Sequence, residues 1–163
     1  TYTLPEAQLD RFLLEVHIGY PSGAEEREIA RRTTSGALPK VPSALRADEL
    51  RSLQALVPRV PASDAAVDLA VRMARATRPE EPGAPAIVTR YVRFGAGPRG
   101  SQALVLAAKA RAALRGEAAA EPEDVAALAI PILRHRVVLS YRAEADGVRD
   151  VDVVEGVKAI VRG

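Results

Sequence analysis

The sequence predicts a mainly α-helical fold with one or two short strands. Apolar residues recur at three- and four-residue spacing along most of the chain, strand-like alternation is confined to a few short stretches, and glycine and proline clusters punctuate the periodic segments. The 163 residues suffice for one ordinary domain or two small ones.

The chain opens on Thr1-Tyr2-Thr3-Leu4-Pro5, not on an initiator methionine, and is expected to be a fragment. Residues Leu13 to Ile18 alternate as a strand does, until Gly19-Tyr20-Pro21-Ser22-Gly23 breaks the pattern. A lone strand needs partners, so its sheet lies elsewhere in the chain, in another chain, or upstream. Ala24 to Thr34 carries acids early and Arg31 and Arg32 late, the order that suits a helix dipole. Ser35 to Ala44 is proline-containing and unpatterned, a linker. Ala47 to Val57 spaces Leu50, Leu53, Leu56 and Val57 helically, and Pro58 ends it. Ser63 can cap the next helix, with Val67, Ala70, Val71 and Ala74 facing inward. A loop follows from Arg78 to Pro85, then a β-branched, alternating stretch from Ile87 to Phe94 that reads as a strand. Ser101 to Leu114 is the strongest helix, its inner face Ala103, Leu106, Ala107, Ala110 and Leu114, with Gly116 just past its end. Pro122 starts another helix beside Glu121, Glu123 and Asp124, and Pro131 breaks or restarts it. Val137 to Tyr141 is a second candidate strand. Asp150 to Val161 forms a last helix burying Val153, Val154, Val157, Ile160 and Val161.

Composition excludes several chemistries. No cysteine is present, so disulfides, thiolate nucleophiles and cysteine metal sites are ruled out. No apolar run approaches a membrane span and no signal-peptide order appears at the start, so the expected location is cytoplasmic. Lysine is confined to Lys40, Lys109 and Lys158, so arginine supplies the other 20 of 23 cations, yet the net charge is only +2. The two histidines, His17 and His135, stand in no metal-ligand spacing, and the acids are scattered singly, so neither a metal site nor a carboxylate pair is expected.

Gly95-Ala96-Gly97-Pro98-Arg99-Gly100 satisfies G-x-G-x-x-G between a candidate strand and a helix. A dinucleotide fold would need further βαβ units that this helical chain lacks. Arg99 at a helix start instead suits a phosphate sensor, where amides and a guanidinium fork meet an anion. A glycine-rich turn with a surface arginine fits the spacing equally well.

Leu4-Pro5-Glu6-Ala7-Gln8-Leu9-Asp10-Arg11-Phe12-Leu13, then Gly19-Tyr20-Pro21, then Tyr91 through Ser101, then Leu133-Arg134-His135-Arg136 together resemble the C-terminal part of MoxR-family AAA+ ATPases. That resemblance implies a helical AAA+ lid bundle over residues 21–163, preceded over residues 1–20 by a remnant of the α/β ATPase core, with 13–18 its last strand. It further implies that Arg11 is an arginine finger acting in trans on the neighbouring subunit's ATP. Arg99 would be the sensor 2 arginine, touching ATP bound to its own subunit, and Tyr20 and Pro21 would form the hinge near the adenine. ATP with magnesium, a hexameric ring, chaperone-like remodelling of client proteins and a partner carrying a von Willebrand A domain complete the expectation.

The chain departs from the family pattern in two ways. Gly97 and Gly100 replace the family's serine and alanine, which is expected to loosen the placing of Arg99 by about 1 kcal/mol. No G-x-x-x-x-G-K-[ST] occurs, and the acidic magnesium motif and sensor 1 are missing too, so the chain alone is expected not to hydrolyse ATP. Two other classes compete with this reading. A helical nucleic-acid-binding module would use Arg72, Arg75, Arg78, Arg90 and Arg93, but the small net charge and 4% aromatic content argue against it. A detached lid could also serve as an adaptor.

Overall fold

A computed structural model describes residues 4–36 and 41–162. The expected linker therefore falls partly on residues 37–40, outside the described residues.

The chain begins with a single turn, α1 (Glu6–Leu9), and then runs without regular structure from 14 to 22. Ser22 caps α2 (Gly23–Thr34) through a reciprocal box with Glu25, and α3 (Ala47–Leu56) starts at Arg46 and runs into a 3-10 turn at Val57–Arg59. Neither α2 nor α3 buries a residue, and Leu50, Leu53 and Leu56 stay about half exposed.

The core lies in the remaining two thirds. Ser63 caps α4 (Asp64–Ala76): its Oγ accepts from the Ala66 amide at 3.2 Å and donates to Glu121 at 2.8 Å. There follow α5 (Ala86–Tyr91), β1 (Val92–Phe94), α6 (Pro98–Arg115), α7 (Pro122–Ala127), α8 (Ala129–Leu133), a 3-10 turn at Arg134–Arg136, β2 (Val138–Leu139), α9 (Tyr141–Ala145) and α10 (Asp150–Arg162). α4 packs against α6, α7 and α10, and β1 pairs antiparallel with β2, Val92 opposite Leu139. Gly116 ends α6 at φ +73°, a left-handed conformation that favours glycine.

The bundle interior is unusually alanine-rich. α4 buries Ala66, Leu69, Ala70, Met73 and Ala74, and α6 buries Ala103, Leu104, Ala107, Ala108 and Ala112. Small residues let helix axes approach closely, and that contact decides which stripe faces inward. The expected inner faces are therefore partly corrected. Val67, Val71 and Leu106 are 37%, 40% and 40% exposed and line an apolar groove between α4 and α6, while Leu114 is 89% exposed. On α10, Val153, Val154 and Val157 are buried as expected, whereas Ile160 is exposed.

Three strand expectations change. Residues 13–18 form no strand: among the described residues the sheet consists of β1 and β2 alone, and the Glu15 amide donates to the Pro131 carbonyl at 2.8 Å. With no neighbouring strand in reach, alternation alone cannot make one. Ile87–Phe94 divides, its first part becoming α5, because the Val88 and Thr89 amides find the Pro85 carbonyl at 2.8 and 3.0 Å and Val88 fills the core. Tyr141 opens α9 and does not extend β2.

An ion cluster around one buried carboxylate joins α6 and α7. Asp124, its side chain 3% exposed, accepts from the Glu121 amide at 3.0 Å and from Arg111 and Arg115. Burial alone would push the Asp124 carboxyl up. The Glu121 amide, the Arg111 hydrogen bond and both arginine charges outweigh it and hold the carboxyl below the usual aspartate range. Its stabilisation is thus complete above the ordinary aspartate value of about 4 and is lost as pH falls from there through the depressed folded value. The melting-temperature gap between wild type and Asp124→Asn should therefore be wider at pH 6 than at pH 3. A gap that stays constant with pH would contradict the ionised assignment.

Candidate functional site: an arginine-lined cleft

The turn carrying Arg99 is built by a close backbone approach. A Cβ at Gly95 would lie 2.3 Å from the Thr77 carbonyl oxygen and 2.7 Å from the Arg78 nitrogen, so only glycine fits. That approach lets the Ala96 amide donate to Thr77 Oγ1 at 2.8 Å and Arg78 Nε donate to the Ala96 carbonyl at 2.9 Å. The C-terminal end of α4 thus anchors the loop, and Pro98 occupies the first turn of α6.

The two replaced glycines do not act alike. Space around Gly97 is open and it caps α6 without a side-chain acceptor. A Cβ at Gly100, by contrast, would meet Ala96 Cβ at 2.9 Å and Arg136 Cδ at 3.5 Å, so this glycine admits close packing and does not loosen the turn. Gly97→Ser should supply the missing cap and raise the melting temperature by about 1 °C, a few tenths of a kcal/mol; an unchanged or lowered value in a thermal melt would refute this.

Residues 4–15 dock on the turn after α8. Arg136, whose side chain is 2% exposed, donates from Nη2 to the Asp10 carbonyl at 3.1 Å and to the Phe12 carbonyl, and from Nη1 to the Leu13 carbonyl at 3.3 Å and to the Ile132 carbonyl. Its Nε lies 3.3 Å from Asp10 Oδ1. His135 Nε2 donates to the Phe12 carbonyl at 3.2 Å, and burial holds this imidazole below its ordinary pKa, against the pull of that hydrogen bond. Arg134 pairs with Asp150 at 2.9 Å and lies 3.9 Å from Glu15.

Docking brings the N-terminal arginine to the α6 arginine. Arg11, Arg99 and Arg136 line one shallow cleft of about 230 Å³ with Asp10, Leu13 and Leu106. Asp10 is the shared counter-ion, its Oδ2 lying 3.4 Å from Arg99 Nη1. Three arginines and one carboxylate line the cleft, which leaves an excess of positive charge suited to phosphate oxygens. Arg99 is 57% exposed, so its bond to Asp10 is worth at most about 1 kcal/mol and can be exchanged for an anion.

Tyr20 and Pro21 are not brought to the cleft; both are exposed, Tyr20 fully. His17 is exposed and pairs with Glu15. No cluster of His, Cys, Asp or Glu suited to a metal ion occurs among the described residues. Of the five arginines of the nucleic-acid alternative, three are engaged within the chain: Arg75 pairs with Glu81, Arg78 holds the Ala96 carbonyl, and Arg90 pairs with Asp146. No described helix is long and apolar enough to cross a membrane.

Sequence reasoning did not single out Asp10 or Arg136. One signal was present for the second. Ala129, Ile132, Leu133 and Arg136 share a helical stripe, and a cation on an otherwise buried stripe demands acceptors.

The AAA lid domain family matches residues 84–157. The chain is 40% identical over 156 residues to Chaperone MoxR1 of Mycobacterium tuberculosis, which covers 96% of this chain and 41% of that protein. Protein MoxR of Paracoccus denitrificans is 34% identical over 153 residues, 86% of this chain and 44% of that protein. A crystal structure from Cytophaga hutchinsonii, provisionally assigned as an ATPase, superposes with a TM-score of 0.85 at 30% identity over 96% of this chain and 48% of that one. The chain spans about half the length of the relatives it matches, from 41% to 48%.

Proposed function

We propose that this chain, which belongs to the MoxR family of AAA+ ATPases as a lid-bearing C-terminal region, completes ATP-hydrolysing sites in a ring by presenting Arg11 and Arg99 together to a triphosphate held by a neighbouring subunit. The observation that carries this reading is that Arg11 and Arg99 line one cleft around Asp10. The sequence resemblance divides the two arginines between two nucleotides; a common cleft favours a common nucleotide.

In this reading residues 1–20 close the ATPase core and residues 21–163 form the lid. A phosphate arriving in the cleft draws Arg99 from Asp10, and Arg11 stabilises the negative charge that spreads over the transferred group. Positive charge delivered by the next subunit makes hydrolysis depend on ring closure. Tyr20 and Pro21, uncovered on this chain, are assigned to the adenine side of the hinge. Magnesium accompanies the ATP, and this chain's share is charge and hydrogen bonds to phosphate oxygens. Remodelling of client proteins, with a partner carrying a von Willebrand A domain, is the activity that such a ring would drive.

Steady-state ATP turnover of the full-length protein tests the reading. Arg99→Ala should lower turnover by about 10²-fold or more, as loss of a charge-stabilising donor does. Wild-type turnover in Arg99→Ala would remove Arg99 from the site.

A further inference from the structure

We infer that Arg136 is a positioning residue for hydrolysis, which gathers the turn bearing Arg11 onto the lid and thereby fixes Arg11 beside Arg99. This rests on the proposed role of Arg11 in ATP turnover.

Arg136 is placed like no other arginine among the described residues. Its side chain is 2% exposed, and its guanidinium serves the carbonyls of Asp10, Phe12 and Leu13, the residues flanking Arg11, as well as the Ile132 carbonyl of its own turn. The Asp10 carboxylate neutralises it at 3.3 Å. A planar fork with five donors can meet several carbonyls and a carboxylate at once, whereas the three donors of a lysine on a flexible stem cannot hold that set in one plane. The stem of Arg136 runs beside Gly100, which directly follows Arg99 in α6. One side chain therefore touches the backbone on both sides of Arg11 and the helix turn that presents Arg99. Further ties join this segment to α8 and the turn after it: His135 to Phe12, the Glu15 amide to Pro131, and Arg134 3.9 Å from Glu15.

Without Arg136 these carbonyls face a gap, and Arg11 is left on a short tether whose position is unspecified. Arg11 itself is exposed and makes no ion pair among the described residues, so its placement derives from its backbone. Misplacement of a reacting group by about 1 Å is worth about 10²-fold in rate.

The test combines a local and a kinetic measurement on the full-length protein. In Arg136→Gln, hydrogen exchange at the Glu15 amide should quicken at least about tenfold while amides in α4 and α6 keep their protection, the signature of local and not global opening. ATP turnover should fall about 10²-fold in kcat with KM little changed, and Arg136→Gln added to Arg11→Ala should cause no further loss, since Arg136 acts through Arg11. Unchanged Glu15 exchange, wild-type kcat in Arg136→Gln when Arg11→Ala is inactive, or losses that multiply in the double variant would each overturn the inference. Should Arg136→Gln fail to fold, Arg136→Lys keeps the charge and should still lose kcat about tenfold; wild-type kcat there would overturn it equally. Wild-type turnover in Arg11→Ala alone is the distinct result that removes the underlying reading of Arg11.

Discussion

Replacing Arg11 by alanine in the full-length protein should cut ATP turnover by about 10³–10⁵-fold while ATP binding changes little. Phosphoryl transfer spreads negative charge over the transferred group, so a guanidinium supplied at that moment acts on the transition state more than on bound ATP. Arg11 suits that task because it lines the cleft without an ion pair of its own among the described residues, so no bond need be broken for it to reach an anion. Arg99 differs: it must first leave Asp10, 3.4 Å away. Turnover and equilibrium binding of a fluorescent ATP analogue, measured side by side, separate the two effects. Loss of binding in parallel with turnover would make Arg11 a ground-state contact and contradict the assignment.

Gly95→Ala should destabilise the fold by about 3 kcal/mol, lowering the melting temperature by roughly 6–12 °C. The added methyl would sit 2.3 Å from the Thr77 carbonyl oxygen, and the obstacle is backbone on both sides, so no rotamer change relieves it. Separation would also stretch the hydrogen bonds from the Ala96 amide to Thr77 and from Arg78 to the Ala96 carbonyl. Thr77→Ser keeps the hydroxyl and should melt near the wild-type temperature. A Gly95→Ala protein within 1–2 °C of wild type would show that the loop can retreat, and the rigid anchoring of Arg99 would fall with it.

Much of the helical frame was legible because its signals are local. Ser63 caps where its spacing says it should, and Gly116 stops α6 in the left-handed conformation. The inward faces of α4 and α6 were harder to read, because alanine is ambivalent on any apolar scale. The sequence pattern favours the larger Val67, Val71 and Leu106, yet close helix approach selects the alanine stripes and leaves those residues lining a groove. The stretch 13–18 has the alternation of a strand and no strand partner among the described residues.

The candidate site divides the same way. Arg11 and Arg99 stand in recognisable blocks of sequence, and each was identified from its own neighbours. Their meeting was not legible, since it depends on Asp10 reaching Arg99, 89 residues away in the chain, and on Arg136 reaching the Asp10 carbonyl across 126 residues. Gly100 illustrates the point: in sequence it looks like a loosened turn, and in the fold it makes room for the Arg136 stem.

The most direct test of the account is a mixing experiment with full-length Arg11→Ala and Arg99→Ala proteins, each inactive alone, co-assembled at equal ratio and assayed for ATP turnover. If both arginines serve the same nucleotide, every neighbour offers only one of the two, and the mixture should stay inactive. Recovery of a substantial fraction of wild-type turnover would mean that one arginine acts on its own subunit's ATP and the other on its neighbour's, and would contradict the shared cleft.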